Sequence, residues 1–304
     1  MISLISVVIP TYNQGDFIRD AVQSVIDQTY SNWEIIVIDN HSDDNTDEVL
    51  RSFKDVRIRL LKIHNKGVIA ASRNMGINAS CGEWIAFLDS DDSWTPDKLS
   101  ICIDQISDDV DLIFHDLSII GYKVLSFRNK IRGKSLTIPV ITDLLVNGNK
   151  IPNSSVIVRK SIIEKVGLLS QSKEMIAAED YNLWLRIAEV TNNFCYIPRS
   201  LGFYRYHEGG GSRKNMSLAI LKASELFIKY LDDRSVDKYM SRINYTDGRY
   251  QYLNGNYNDS LNILSKVFKR GRMDIRIKSF WMVCISLVLV MYKKLSQIFN
   301  SVIK

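Results

Sequence analysis

The residues best suited to chemistry are Asp89-Ser90-Asp91-Asp92, which directly follow the apolar run Trp84-Ile85-Ala86-Phe87-Leu88. Carboxylates spaced this closely suit a hard divalent cation that bridges phosphate oxygens, although a solvated acidic turn uses the same residue types. Two further apolar runs end in polar groups. Ser6-Val7-Val8-Ile9 leads into Pro10-Thr11-Tyr12-Asn13, and Ile35-Ile36-Val37-Ile38 ends at Asp39. Asp39 can accept from a base imide or a ribose hydroxyl, or it can cap the loop that follows. The first of these turns carries no G-x-G-x-x-G, which removes the dinucleotide fingerprint and most of the case for an oxidoreductase.

These groups need elements that bring them to one edge. Continuous apolar runs of four or five residues read as strands buried on both faces of a parallel sheet. Such runs stand at 6–9, 35–38 and 84–88, further strands are expected around 58–63 and 111–115, and segments of helical composition lie between them, including 67–79 and 96–106, the latter with Thr95 as cap and Pro96 at its first position. Strand and helix in alternation imply βαβ units and an α/β fold: a doubly wound, mostly parallel, Rossmann-like sheet whose ligands bind at the carboxyl ends of its strands. The pattern then predicts a strand at 154–158, a helix at 177–190 and extended chain at 194–206. Past Gly209-Gly210-Gly211-Ser212, read as a mobile loop, the chain is helical to its last residues. There Tyr250 to Phe268 resembles one helical hairpin of the tetratricopeptide kind. We therefore divide the chain at 1–213 and 214–304.

Composition narrows the class. The 304 residues are 46% hydrophobic and 24% charged, a globular balance that excludes a disordered chain. Four separated cysteines form no C-x-x-C pair, which argues against structural zinc and a disulfide scaffold and for a reducing, cytoplasmic setting. The first ten residues lack the basic start of a secretory signal. Net charge is +5, but residues 1–213 hold 23 basic and 27 acidic side chains and residues 214–304 hold 16 and 7. No basic stripe covers the larger part, so nucleic acid is not an expected partner.

Taken in order, Ser6-Val-Val-Ile-Pro-Thr-Tyr-Asn13, Ile38-Asp39, Ser72-Arg73-Asn74-Met75-Gly76, Phe87-Leu-Asp-Ser-Asp-Asp92, Glu179-Asp180 before Trp184-Leu185-Arg186, and Tyr204-Arg205-Tyr206-His207 resemble the motifs of family 2 glycosyltransferases of the GT-A fold, over residues 4–212. The resemblance implies that Asp89 and Asp91 hold Mn²⁺ or Mg²⁺ on the diphosphate of a nucleotide-sugar, with Asp89 and Ser90 at the donor. It implies a nucleoside pocket of Pro10, Thr11, Tyr12 and Asp39, a basic Arg73 near the nucleotide, and His207 near the metal. Asp180 is implied as the catalytic base of an inverting transfer to a saccharide or lipid-linked glycan hydroxyl, most often UDP-sugar chemistry in bacterial surface-polysaccharide synthesis. Other readings compete at single positions. Arg73 suits a surface salt bridge, Glu179 a solvated helix start, His207 plain surface, and Trp184 and Leu185 helix core. His64 and His115 read as structural.

A metal-dependent nucleotidyltransferase of sugar phosphates needs a glycine-rich basic loop after the first strand, which Pro10 to Asn13 is not. An inactive carbohydrate-binding homologue is disfavoured by the presence of all three key aspartates.

The basic tail carries one more signal. Ser279 to Tyr292 is uncharged, with basic residues on both sides. Fourteen residues make a helix of about 21 Å, short of the roughly 30 Å hydrocarbon core, so the segment reads as an in-plane amphipathic helix for a peripheral membrane contact or as the last helix of a helical cap.

Overall fold

The computed structural model describes residues 3–121, 129–207 and 215–302. The glycine run at 209–212 lies outside them. The chain divides into two compact units, Met1–Leu144 with Asn149–Gly210, and Leu145–Gly148 with Gly211–Lys304.

The first unit opens with β1 (Ile5–Thr11), α1 (Gly15–Ile26), β2 (Trp33–Asp39), α2 (Thr46–Ser52), β3 (Ile58–Lys62), α3 (Ile69–Ala79) and β4 (Trp84–Phe87). It continues through β5 (Ser93–Trp94), α4 (Lys98–Ile103), β6 (Leu112–Gly121), β7 (Lys130–Ile131), α5 (Val140–Asn147, its residues from Leu145 on counted with the second unit), β8 (Ile157–Arg159), α6 (Lys160–Lys165), α7 (Glu179–Val190) and β9 (Phe194–Tyr206). The sheet order is β3-β2-β1-β4-β8-β6-β9-β5, with β7 beside β6. The α/β reading holds. The four strands β3, β2, β1 and β4 are parallel, and so is the β6–β9 pair, whereas β8 runs antiparallel between β4 and β6, which makes the sheet mixed.

Several local choices aim the strand ends. Val8 accepts from Leu88 on the β4 side, so Pro10, two residues on, turns its missing N–H to that same side, where β4 has already ended. Pro10 therefore costs β1 no ladder bond. A Cβ on Gly76 would lie 2.6 Å from both Ile38 and Val8, so only glycine lets α3 sit this close to β1 and β2. The expected cap of α4 is not formed by Thr95: Asp97 stands at the N-cap, and the Thr95 hydroxyl donates to the Asp97 carboxylate and the Leu201 carbonyl. His115 is fully buried, as its strand position suggested, and Trp184 and Leu185 are core.

One buried group bears on stability. Lys98 is fully buried with its Nζ 3.5 Å from the centre of the Trp94 ring, and that nitrogen has no hydrogen-bond partner among the described residues. Burial brings its pKa down from 10.5 to about 7. The unfolded chain then binds more protons between those values, so stability rises with pH across that window. Lys98→Met is expected to stabilise the protein at pH 7 by about 1–3 kcal/mol and to flatten that rise, since it removes an unpartnered buried amine. Thermal melts at pH 7 and 10 check this; a lower melting temperature for the variant at pH 7 contradicts it.

The second unit holds α8 (Ser217–Ser224), α9 (Asp233–Leu253), α10 (Tyr257–Arg270) and α11 (Met273–Val302). The expected break at 254–256 is the turn between α9 and α10, closed by an edge-on contact of Tyr252 with Tyr257. The last helix corrects the length argument made from its uncharged residues. A helix does not stop at the first charge, and α11 runs 30 residues, of which Met273–Lys293 is long and apolar enough to cross a membrane by length and composition alone.

Candidate active site

Strand order explains how the site assembles. The carboxyl ends of β2, β1 and β4 lie side by side, with Thr11 paired to Asp39 and Leu88 bonded to Val8. Tyr12 stands at this edge 51% exposed, a free aromatic face. Thr11 is buried, with its hydroxyl unpartnered among the described residues. Asn13, at φ 50°, accepts from the Asp43 amide and donates its own amide to Ser42, which ties the first two strand ends together.

Asp39 is fully buried and already engaged. Its Oδ1 accepts from the amide and hydroxyl of Ser42, and its Oδ2 accepts from Lys62 Nζ at 2.6 Å. Lys62 also reaches Asp47, and two carboxylates hold its ammonium pKa up against the cost of desolvation. Lys62 was not visible as a site residue from sequence, since a lysine at a strand end reads as surface. Beside it, His41 and His64 stack with ring centres 3.8 Å apart. His64 thus belongs to the exposed sheet edge rather than to the structural interior.

The acidic loop after β4 is held from three sides. Asp89 takes Arg73 Nη2 on its Oδ1 at 2.7 Å, with Asn153 Nδ2 on the same oxygen at 3.1 Å, and the Ser154 hydroxyl accepts its amide at 3.1 Å. Ser90 is buried. Asp92 is buried and accepts the Arg205 amide, while Arg205 donates its Nε to the Asp91 carbonyl and an Nη to Asp20. Asp91 Oδ2 lies 2.8 Å from His207 Nε2, and Phe17 packs on the His207 ring. Burial and the charge of Asp89 push the Asp91 carboxyl up, against His207; burial with Asp89 and Asp91 pushes Asp92 up further.

The second cluster enters from α7. Arg73 is almost wholly buried on α3 and donates Nη1 to Glu179 Oε1 at 2.7 Å, so one guanidinium joins the acidic loop to a helix 106 residues away in sequence. Burial opposes its charge, but Asp89 and Glu179 outweigh that and raise its pKa. Glu179 is buried, not the solvated helix start considered above. Asp180, next to it, accepts the Tyr181 amide on Oδ1 and Asn149 Nδ2 on Oδ2 at 3.3 Å. Its carboxyl is pushed up to about 7, first by burial and then by Glu179, with Arg73 acting the other way. A carboxylate poised near neutrality is suited to taking a proton.

The donor set fits a divalent cation in part. Asp91 and His207 face each other across one hydrogen bond, and the crowded charges of Asp89, Asp91 and Asp92 favour a positive ion. Among the described residues no three His, Cys, Asp or Glu side chains form a ready cation site, so a cation held here would need further ligand oxygens from a bound molecule. Asn149, Asn153 and Ser154 complete the site, and only their neighbours in space mark them.

Comparison with known proteins follows the same outline. The model of glycosyl transferase family 2 matches residues 6–165. The chain is 32% identical over 190 residues to the Escherichia coli UDP-Glc:alpha-D-GlcNAc-diphosphoundecaprenol beta-1,3-glucosyltransferase WfgD, covering 62% of this chain and 71% of that protein. It is 30% identical over 229 residues to the E. coli enzyme of the same description, WfaP, covering 73% and 85%. Among solved structures, Staphylococcus aureus TarS 1-349 in complex with UDP-GlcNAc superposes with TM-score 0.65 at 14% identity, over 93% of this chain and 88% of that one. The Pyrobaculum calidifontis mannosyltransferase PcManGT in complex with GDP-Man and Mn²⁺ superposes with TM-score 0.63 at 15% identity, over 95% and 81%. At those identities the likeness is one of fold.

Proposed function

The chain belongs to glycosyl transferase family 2, and we propose that it moves a hexose or N-acetylhexosamine, with inversion, from a UDP-sugar to a hydroxyl of a lipid-linked saccharide in bacterial surface-polysaccharide assembly, such as lipopolysaccharide, O-antigen or capsule. One observation supports this reading: Arg73 pairs with Asp89 of the acidic loop and with Glu179 at the start of α7, so that loop and the helix start that carries Asp180 share one cation. Polar strand ends that suit a nucleotide, joined through one arginine to a near-neutral carboxylate, are the equipment an inverting transfer requires.

The proposed roles are those the family resemblance implies, set on this geometry. Tyr12 offers a stacking face to the base, with Pro10, Thr11 and Asp39 lining that edge; Asp39, with Lys62 on it, presents a neutralised pair rather than a bare carboxylate. Arg73, Asp89 and Ser90 sit at the diphosphate side. Asp180 takes the acceptor hydroxyl proton, held in position by Asn149 and the Tyr181 amide. Mn²⁺ or Mg²⁺, held by Asp91 and His207 with Asp89 adjacent, would supply positive charge to the departing nucleoside diphosphate. The UDP-linked donor and lipid-linked acceptor are supported by the descriptions of WfgD and WfaP. Such an acceptor places the enzyme at the cytoplasmic face of the cell membrane in peripheral contact, and the free cysteines suit that compartment.

A panel of nucleotide-sugars tested by thermal stabilisation and by release of nucleoside diphosphate checks the proposal. A UDP-sugar is expected to stabilise the protein more with Mn²⁺ than with chelator. In Asp91→Ala that difference is expected to vanish while the chelator value stays. Stabilisation by nucleoside triphosphate with sugar 1-phosphate, and release of pyrophosphate, would instead establish the nucleotidyltransferase reading. Donor binding without any turnover, with every acceptor offered, would establish the inactive homologue.

A further inference from the structure

The last helix is apolar on more of its surface than it buries: Met282, Val283, Leu289 and Val290 are half-buried on the side that packs, and a further apolar strip faces outward. A surface helix ordinarily buries its apolar stripe and shows a polar face to water. α11 packs along α10 and α9, and on that side it buries Ile275 together with the small polar residues Ser279 and Ser286, whose hydroxyls, like that of Ser260 on α10, have no partner among the described residues. The opposite arc carries Ile277, Trp281, Ile285, Val288, Met291 and Tyr292, all exposed. At 100° per residue these six fall within about 120° of the helix surface. A continuous apolar strip of this length on an exposed helix marks an interaction surface.

Two observations say what covers it. The exposed charges at its ends are positive, Lys278 and Lys293, in a stretch of sequence, 269–304, that holds eight basic residues and one acidic. Trp281 and Tyr292 are the residue types that settle at a lipid headgroup boundary. A spanning arrangement fits the helix length but not its neighbour, for α10 lies along α11 with Asp259, Asn262 and Lys266 exposed, and crossing would carry those groups into hydrocarbon. We propose that α11 is a monotopic docking face for a bilayer containing anionic lipid: its outward strip lies in the plane of the acyl boundary, its basic residues meet the headgroups, and α10 stays on the water side. This deepens the membrane setting proposed above by naming the surface and the lipid class.

The test uses the full chain with vesicles of phosphatidylcholine alone and of phosphatidylcholine mixed with phosphatidylglycerol. Trp281 is 62% exposed whereas Trp33, Trp84, Trp94 and Trp184 are buried, so changes in tryptophan emission on mixing report α11. Flotation with the anionic vesicles and a blue shift of emission are expected, at least tenfold weaker with neutral vesicles and weakened by about 0.5 M salt. Val288→Glu, an exposed position, is expected to reduce binding at least tenfold without changing the melting temperature. Three results overturn the proposal: no binding to either vesicle, self-association by light scattering that Val288→Glu abolishes in the absence of vesicle binding, or strongest quenching of Trp281 by lipids brominated at the chain end, which indicates spanning. UDP-sugar binding measured on the same samples separates the two readings. Retained donor binding without vesicle binding defeats only this inference, and absent donor binding defeats the catalytic one.

Discussion

Asp180→Asn is expected to lower the transfer rate by about 10²–10⁴-fold while leaving UDP-sugar affinity within about twofold, the effect of removing a general base without touching the donor. The amide keeps the shape of the side chain and can still accept the Tyr181 amide and face Asn149, so the first turn of α7 stays in place. It cannot take a proton. Binding by calorimetry and turnover by diphosphate release give the two numbers separately, and unchanged turnover would remove Asp180 from the mechanism.

The pH dependence gives a second handle on the same group. As the proposed base Asp180 must be ionised, and its carboxyl is raised to about 7 by burial and by Glu179. Transfer at low substrate is therefore expected to fall about tenfold per unit as pH drops below 7 and to level off above it. Glu179→Gln removes the neighbouring negative charge while leaving an oxygen for Arg73, so the acid limb is expected to move to lower pH. A limb that stays put in this variant would show that another group controls it.

Much of this site was legible in the sequence because apolar runs that end in polar residues mark the carboxyl ends of buried strands. Pro10 to Tyr12, Asp39 and Asp89 were located that way, and the structure brings those ends into neighbouring positions. Pairings over long separations were not legible. Nothing in spacing tells that Arg73 reaches Glu179, nor that Asn153 and Ser154 come round from β8's approach to hold Asp89, because serine and asparagine occur in every loop. Strand direction was equally hidden: Ile157–Arg159 is a short apolar run whichever way it points, and only the connection from β6 decides that β8 is antiparallel. The buried state of Glu179 follows from its partner, not from its type. For α11 the difference is one of boundary: the uncharged stretch 279–292 ends at Lys278 and Lys293, but charged residues are good helix formers and the helix runs through both.

Arg73→Met is expected to be the most damaging single change in this cluster for stability as well as activity. The guanidinium is the shared cation of two carboxylates, one of them buried, and it holds Glu179 through Oε1, while Oε2 has no partner among the described residues. Methionine fills similar volume but leaves Glu179 buried and uncompensated, and breaking such a pair from one side costs about 3–5 kcal/mol. Lysine cannot replace the fork, because one ammonium does not span Asp89 and Glu179 at 2.7 Å each in the geometry a planar guanidinium supplies. The loss of Arg73 also removes the charge that restrains the Asp180 carboxyl, so residual activity is expected to have its acid limb shifted to higher pH. Adding Glu179→Gln to Arg73→Met removes the stranded charge, and the double variant is expected to recover more than half of the lost stability without recovering transfer. Urea unfolding of the wild type, both single variants and the double variant closes the cycle. If the double variant is no more stable than Arg73→Met alone, the two residues are not coupled and Arg73 does not join the donor loop to the base helix.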